Sequence, residues 1–543
     1  MKRRTVIGGV GAAVAVPAIA TFVNNEAMAG TETTAASTSS SSVSSGALAF
    51  DRAAYTELTT TITTDAGDKS VTYHFYKAIT YVTNPVDEKY QSLNVSVPVE
   101  IDGTAVDATH APILFANSVG GYMPSSVADA TGIGAGGMGG APGGGAPTAS
   151  ASAGTGEVES GGNAQVDQQG EMVSNAKLGL AAGYVVVEPG ARGRTLVDSS
   201  GTYYGTAPAA IVDLKAAVRY VRFNKGRIPG NTDRIVSSGT SAGGALSALL
   251  GASGDSPLYS KYLKALGAAD ASDAIFASGD WCPITDLEHA DMAYEWNWGA
   301  NKLSSGSLVD QSVSKDLSTA FADYQASLRL RAKGFGSLTA RNLDDYLLET
   351  HLRPAATRYL NSLSESARST YLAANTFITW ADGKATFTWA DFLTHVGARK
   401  KDTPAFDAFD LSAGENNLFG AGTTQARHFT LYSLRHEGSA SARLDGDLPE
   451  KLTLMNPMPF LAKRNPSRAK HWWIRVGTKD SDTSLSVVGN LAASLEGLGD
   501  DVNAAMYWDS GHGANDDAAD FITWIAKVTG YKGKAKAAAT GTK

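Results

Sequence analysis

Residues 233–238 read as a strand that runs directly into Gly239-Thr240-Ser241-Ala242-Gly243, and a helix begins at Ser241. A strand, a tight turn and a helix without an intervening loop belong to a sheet whose strands are joined by helical crossovers. The neighbouring segments fit that frame. Residues 71–82, 93–101 and 112–117 are strand-like, rich in Val, Ile, Tyr and Phe and bounded by turn residues. Residues 184–188 (YVVVE) are continuously apolar, as in a strand covered on both faces. Pro208 opens a helix whose Ile211, Leu214, Val218 and Val221 form one apolar stripe. Further strands are expected at 274–281, 471–477 and 502–508, with a last helix over 515–529. The predicted fold class is α/β, with a mostly parallel, doubly wound sheet.

The alternation stops between residues 286 and 455, where polar helices are expected over 310–332 and 338–363. This stretch reads as a large inserted domain at the sheet end where ligands bind, the position of a lid. It divides the core into residues 51–285 and 456–531, with a loose tail at 532–543. At the other end, Lys2-Arg3-Arg4, an apolar run over 5–23 and Ala27-Met28-Ala29 form an export-signal pattern over 1–29. The two arginines also fit a twin-arginine signal, and the expected location is outside the cytoplasm. Residues 30–50 read as a flexible Ser/Thr linker. The Gly-rich stretch 131–163 lacks a preceding strand and a Gly-Lys-Ser/Thr, so it reads as a disordered insertion and not as a phosphate loop. The net charge of −8 from 46 basic and 54 acidic residues argues against a nucleic-acid partner. No other segment is apolar enough for a membrane span, and stable membrane insertion is not expected once the signal is cleaved. The single cysteine, Cys282, excludes a disulfide framework and a multi-thiolate zinc site.

G-x-S-x-G between a strand and a helix places a serine hydroxyl on a sharp turn, with the backbone N–H of Ala242 beside it to stabilise an oxyanion. Such a serine needs a base and an orienting acid, expected later in the chain in the order acid, then His. His512, in Asp509-Ser510-Gly511-His512-Gly513 after a strand, is the candidate base. Asp480, after the strand at 471–477, is the candidate acid, with Asp482 as competitor. Gly120 and Gly121, in the loop after 112–117, are candidates for the second oxyanion donor. His289, His351, His395 and His436 read as structural or lid residues. Cys282 reads as a small buried hydrophobe, since no partner histidine is evident nearby in the sequence.

The runs SSGTSAGGALSALLGASGDS, SGDWCPITDLEHADMAYEW, GENNLFG, VGTKDSDTS and DSGHGAND, in that order, resemble the bacterial tannases and, more widely, the tannase/feruloyl-esterase-like α/β-hydrolases. The resemblance spans about residues 70 to 530. It implies an α/β-hydrolase fold with an inserted lid domain, hydrolysis of galloyl esters, and the triad Ser241, Asp480 and His512. It also implies a Lys, a Glu and an Asp that hold the three ring hydroxyls, which fall on Lys401 (or Lys400), Glu415 and Asp482. Carboxylates accept from phenolic hydroxyls and an ammonium donates to them, so the set is chemically apt. On residue type alone, Asp482 could instead cap the next helix, Glu415 sit in a solvated turn and Lys401 belong to a surface run. No metal or organic cofactor is implied, and the partner is a small phenolic ester. The alternatives are a feruloyl or general carboxylesterase with the same machinery, or a non-catalytic binding protein on the same fold.

Overall fold

The structure, a computed structural model, describes residues 46–138, 165–167 and 170–533. The expectations for the export signal, most of the linker, most of the Gly-rich stretch and most of the tail fall outside those residues. A ten-stranded sheet runs through the centre. Its main strands are β1 (Thr56–Thr64), β2 (Gly67–Thr80), β3 (Ser92–Ile101), β4 (Pro112–Ala116), β5 (Val185–Pro189), β6 (Asn231–Thr240), β7 (Ala277–Trp281), β8 (His471–Gly477) and β9 (Asp501–Tyr507). Their spatial order is β1-β2-β3-β5-β4-β6-β7-β8-β9, and Thr104–Ala105 pairs with β3. Pairing is antiparallel from β1 to β5. From β5 onward it is parallel. This is the mostly parallel α/β sheet that the sequence predicts. β1 was not among the predicted strands. Its TELTTTITT is mostly exposed and edge-paired, so it lacks a strong apolar signal.

Helices cover both faces. α1 is Asn175–Ala181, α2 Ala209–Phe223 and α3 Ala242–Ala252. The predicted stripe of α2 is fully buried, and two charged residues are buried with it. Asp213 pairs with Arg192 at 2.8 Å and Lys215 with Asp273 at 2.8 Å. Buried charges are tolerated only with such partners.

The chain leaves the sheet after Trp281 and returns at His471. The insertion contains α4 (Leu287–Trp298), α5 (Gln311–Ser327), α6 (Arg353–Ser362), α7 (Glu365–Ala374), α8 (Trp389–Val396) and α9 (Gly414–Leu418). The expected helix 310–332 ends at Ser327, and a short hairpin of Arg331–Ala332 with Gly336–Ser337 follows. Helical structure within 338–363 starts only at Leu343, because Asn342 Oδ1 accepts from the Thr339 N–H and closes a turn first. After the insertion come α10 (Leu485–Gly497) and α11 (Ala518–Thr529).

Two stretches expected to be loose are packed where the structure describes them. Leu48 and Phe50 are buried, and Asn224 ties them down: its Nδ2 donates to Leu48 O at 2.9 Å and its Oδ1 accepts from Phe50 N–H at 2.8 Å. The start of the Gly-rich stretch also packs. Ile133 is buried and its N–H donates to Tyr73 Oη at 3.1 Å.

Candidate active site

β5 lies between β3 and β4, and the chain then proceeds the other way through β6 to β9. The loops after β4 and β6 therefore emerge side by side where the winding reverses, the usual ligand crevice of such sheets. Ser241 sits at that point with φ 59° and ψ −121°, a conformation that L-residues rarely adopt. Its N–H donates to Trp281 O at 3.0 Å. The turn is possible because its neighbours are small. A Cβ on Gly243 would stand 2.7 Å from both Asn117 Oδ1 and Val119 O, and one on Gly239 would overlap the Gly243 carbonyl. Asn117, at the end of β4, braces the turn, its Nδ2 donating to Ser238 O at 3.1 Å, Gly243 O at 3.1 Å and Ser247 Oγ at 3.2 Å. Ala242 opens α3, so its N–H has no intrahelical acceptor.

Asp480 and His512 meet across the ends of β8 and β9, with His512 Nδ1 2.8 Å from Asp480 Oδ2. The other Asp480 oxygen accepts from the Asp482 N–H at 2.9 Å. Burial opposes the imidazolium, yet the Asp480 carboxylate and the Cys282 sulfur hold His512 well above the ordinary histidine range. His512 Nε2 lies 4.0 Å from Cys282 Sγ. This corrects the reading that Cys282 has no histidine partner; β7 ends beside the β9 loop, which sequence distance hides. Cys282 is buried, as expected. Ser241 N–H bonds to the residue before Cys282, so the serine, the cysteine and His512 share one corner.

The loop over the site contains Gly120, Gly121 and Tyr122, with φ 52° at Gly121 and 55° at Tyr122. Arg194, which sequence reasoning did not single out, joins this loop to α9. Its Nε donates to Gly121 O at 2.8 Å and its Nη1 to Asn417 Oδ1 at 3.0 Å. A Cβ on Gly414 would stand 2.9 Å from the Arg194 guanidinium carbon, so a larger residue there would displace the guanidinium. Glu415 is close enough to Tyr122 to add its charge to the burial that raises the Tyr122 hydroxyl.

Asp482 does not cap α10; Ser484 does, accepting from Ser486 N–H. Asp482 instead faces the histidine, its Oδ2 3.9 Å from His512 Nδ1. Burial works against its charge, but His512, Lys400 and Lys401 hold it below the usual carboxylate range. Lys400 Nζ lies 3.0 Å from Asp482 Oδ1, whereas Lys401 Nζ lies 3.8 Å from the centre of the Phe406 ring. Of the two predicted lysines, Lys400 contacts Asp482 directly, and Lys401 acts on it only through its charge. α4 fixes this arm from beneath. Tyr294 Oη donates to Ser481 O at 2.7 Å and accepts from Lys401 N–H at 3.2 Å. Arg399 Nε donates to Lys401 O at 2.8 Å. His395 bonds to Asp509 Oδ1 at 2.6 Å, so this insertion histidine steadies the loop of His512. Among the described residues, no helix is long and apolar enough to cross a membrane.

The family model BD-FAE matches residues 160–322, which include the Ser241 turn and β7. Among curated proteins none matches the chain. Among solved structures, the Fusobacterium nucleatum tannase is 35% identical with a TM-score of 0.73, covering 89% of this chain and 99% of its own. The native tannin acyl hydrolase of Lactobacillus plantarum is 33% identical with a TM-score of 0.71, at 89% and 99% coverage. A tannin acyl hydrolase in complex with ethyl gallate is 34% identical with a TM-score of 0.71, at the same coverage. Similarity at this level over nearly the whole length, on an α/β-hydrolase fold with an inserted domain, means that the chain belongs to the tannase family and is an ester hydrolase of the tannase/feruloyl-esterase type.

Proposed function

We propose that this protein hydrolyses galloyl esters through an acyl-enzyme on Ser241. His512 takes the serine proton as the hydroxyl attacks the ester carbonyl. Asp480 accepts from Nδ1–H, so the neutral imidazole presents Nε2 as the base, and it stabilises the imidazolium that forms. The N–H groups of Ala242 and of the Gly120–Gly121 loop receive the oxyanion. His512 then protonates the departing alcohol, and water releases the acid by the reverse path.

Lys401, Glu415 and Asp482 hold the three ring hydroxyls, with Lys400 the neighbouring cation on Asp482. A site built to pair those hydroxyls rejects a ring that lacks them, because its own polar groups are then left without partners. The insertion, residues 286–455, acts as a lid over this ring. The export-signal pattern in residues 1–29 supports action outside the cytoplasm.

The observation that carries the reading is the strained Ser241 turn in one corner with a His512–Asp480 pair. A feruloyl ester is the second reading, favoured by the BD-FAE match over the nucleophile turn. The test compares methyl gallate, methyl ferulate and methyl benzoate, with Ser241→Ala as the blank. Ser241-dependent preference for gallate is expected. Preference for ferulate or benzoate would keep the triad and reject the ring assignment. Equal turnover by Ser241→Ala would reject the nucleophile.

A further inference from the structure

Cys282, Asp480 and His512 each offer a donor atom, and the three atoms lie within 4.8 Å of one another. Hydrolysis of an ester needs no thiol, so Cys282 is the member of this cluster that the mechanism leaves unused. Its sulfur stands 4.0 Å from His512 Nε2. The main chain holds it there: Cys282 has φ 35° and its N–H donates to Arg475 O at 2.6 Å. With Asp480 on Nδ1, the neutral imidazole keeps its proton there and leaves Nε2, the nitrogen on the side of the sulfur, free to coordinate. A carboxylate behind a histidine in this way is the usual outer support of a metal-bound imidazole. Zinc–sulfur and zinc–nitrogen bonds of about 2.3 and 2.0 Å at a tetrahedral angle span about 3.5 Å between the donors. The observed gap closes to that value with a movement of about half an ångström. Asp480 and Asp482 add two negative charges around the imidazole. Lys400 offsets part of one. A thiol with an imidazole selects borderline and soft dications over magnesium or calcium.

We propose that Cys282 Sγ and His512 Nε2, backed by Asp480, form an inhibitory site for a thiophilic divalent cation such as Zn²⁺ or Cd²⁺. An ion there occupies the lone pair that must take the serine proton, so hydrolysis stops while it is bound. The inhibitory consequence rests on the proposed role of His512; the binding itself does not.

The chain has one cysteine. The ultraviolet thiolate-to-cadmium charge-transfer band therefore reports Cys282 alone. The test titrates the protein with Cd²⁺ and follows that band, then measures Zn²⁺ and Mg²⁺ inhibition of methyl gallate hydrolysis, each variant being scaled to its own metal-free rate. One Cd²⁺ per chain is expected, with binding weakened about tenfold or more in Asp480→Asn. Zn²⁺ should inhibit competitively with ester, be reversed by chelation, and require at least about tenfold more metal in Cys282→Ser and Cys282→Ala. Magnesium should not inhibit. In the unaltered protein, Zn²⁺ should also slow alkylation of the thiol, a readout that depends on no variant. Absence of the cadmium band, or Zn²⁺ inhibition unchanged in both Cys282 variants, would overturn the site. A cadmium band in a protein that hydrolyses none of the esters would keep the cation site and reject the proposed galloyl-ester function.

Discussion

Replacing Arg399 by Met should cost the fold about 4 kcal/mol and loosen the arm that carries Lys401. The Arg399 and Glu295 side chains are both fully buried, and the guanidinium is bidentate to the carboxylate, at 2.8 Å from Nη1 and 2.5 Å from Nη2. The same group donates to Lys401 O at 2.8 Å and Asp402 O at 3.2 Å. Removing it leaves a carboxylate in the interior with no counter-charge, which typically costs about 3–5 kcal/mol. That is roughly a thousandfold in the folded-to-unfolded ratio. Removing both charges together is nearly neutral in such pairs, so Glu295→Met/Arg399→Met should recover most of the stability. It should not recover the anchor on Lys401 O. Urea unfolding followed by tryptophan fluorescence gives the first quantity, and KM for methyl gallate relative to methyl benzoate gives the second. The reasoning fails if Arg399→Met costs less than about 1 kcal/mol, or if the double variant is no more stable than the single.

Arg194→Ala should lower kcat/KM for methyl gallate about tenfold or more, because two charge-assisted bonds between the Gly121 loop and α9 are lost; Arg194→Lys should recover only part, since a lysine cannot reproduce the two-armed geometry. As the proposed base, His512 must be neutral to act, and its affinity for the proton is raised, so kcat/KM should climb with pH through a midpoint above the ordinary histidine value of about 6.5. Asp480→Asn should move that midpoint down and cut kcat by about 10⁴; an unmoved midpoint would assign the titration to another group. Burial pushes Glu188 up from 4.5 to about 7, against the pull of the Gly134 N–H and Lys177. Its neutral form favours the fold below pH 4.5, and that contribution is lost as pH rises through about 7. Glu188→Gln should therefore gain up to about 3 kcal/mol at pH 8 and little at pH 4, read from urea midpoints at both.

The parts of the site that were legible in the sequence are those encoded locally. Gly239, Ser241 and Gly243 announce the turn because only small residues fit where Asn117 and Val119 approach. Asp480 and His512 could be picked out because chain order and strand ends limit the candidates. The roles proposed for Lys401, Glu415 and Asp482 rest on the family resemblance, since a charged residue in a loop reads the same whether it binds a ligand or water. Contacts made by the fold alone stayed hidden. Cys282 and His512 are 230 residues apart, and Arg194 and Asn417 are 223 apart. No periodicity links such pairs; they meet because β5, β7 and β9 run parallel and end at the same edge of the sheet, where α9 of the insertion also packs. The edge strand β1 was missed for a different reason. A threonine-rich strand paired on one side has little apolar pattern to detect, although its β-branched residues suit the conformation.

The identity of the nucleophile is tested most directly by mixing the protein with methyl gallate, quenching rapidly and mapping the acyl group by peptide mass spectrometry. A galloyl group on Ser241, absent in Ser241→Ala, is the predicted result. A galloyl group on Cys282, or full turnover with no acyl group on either residue, would contradict it.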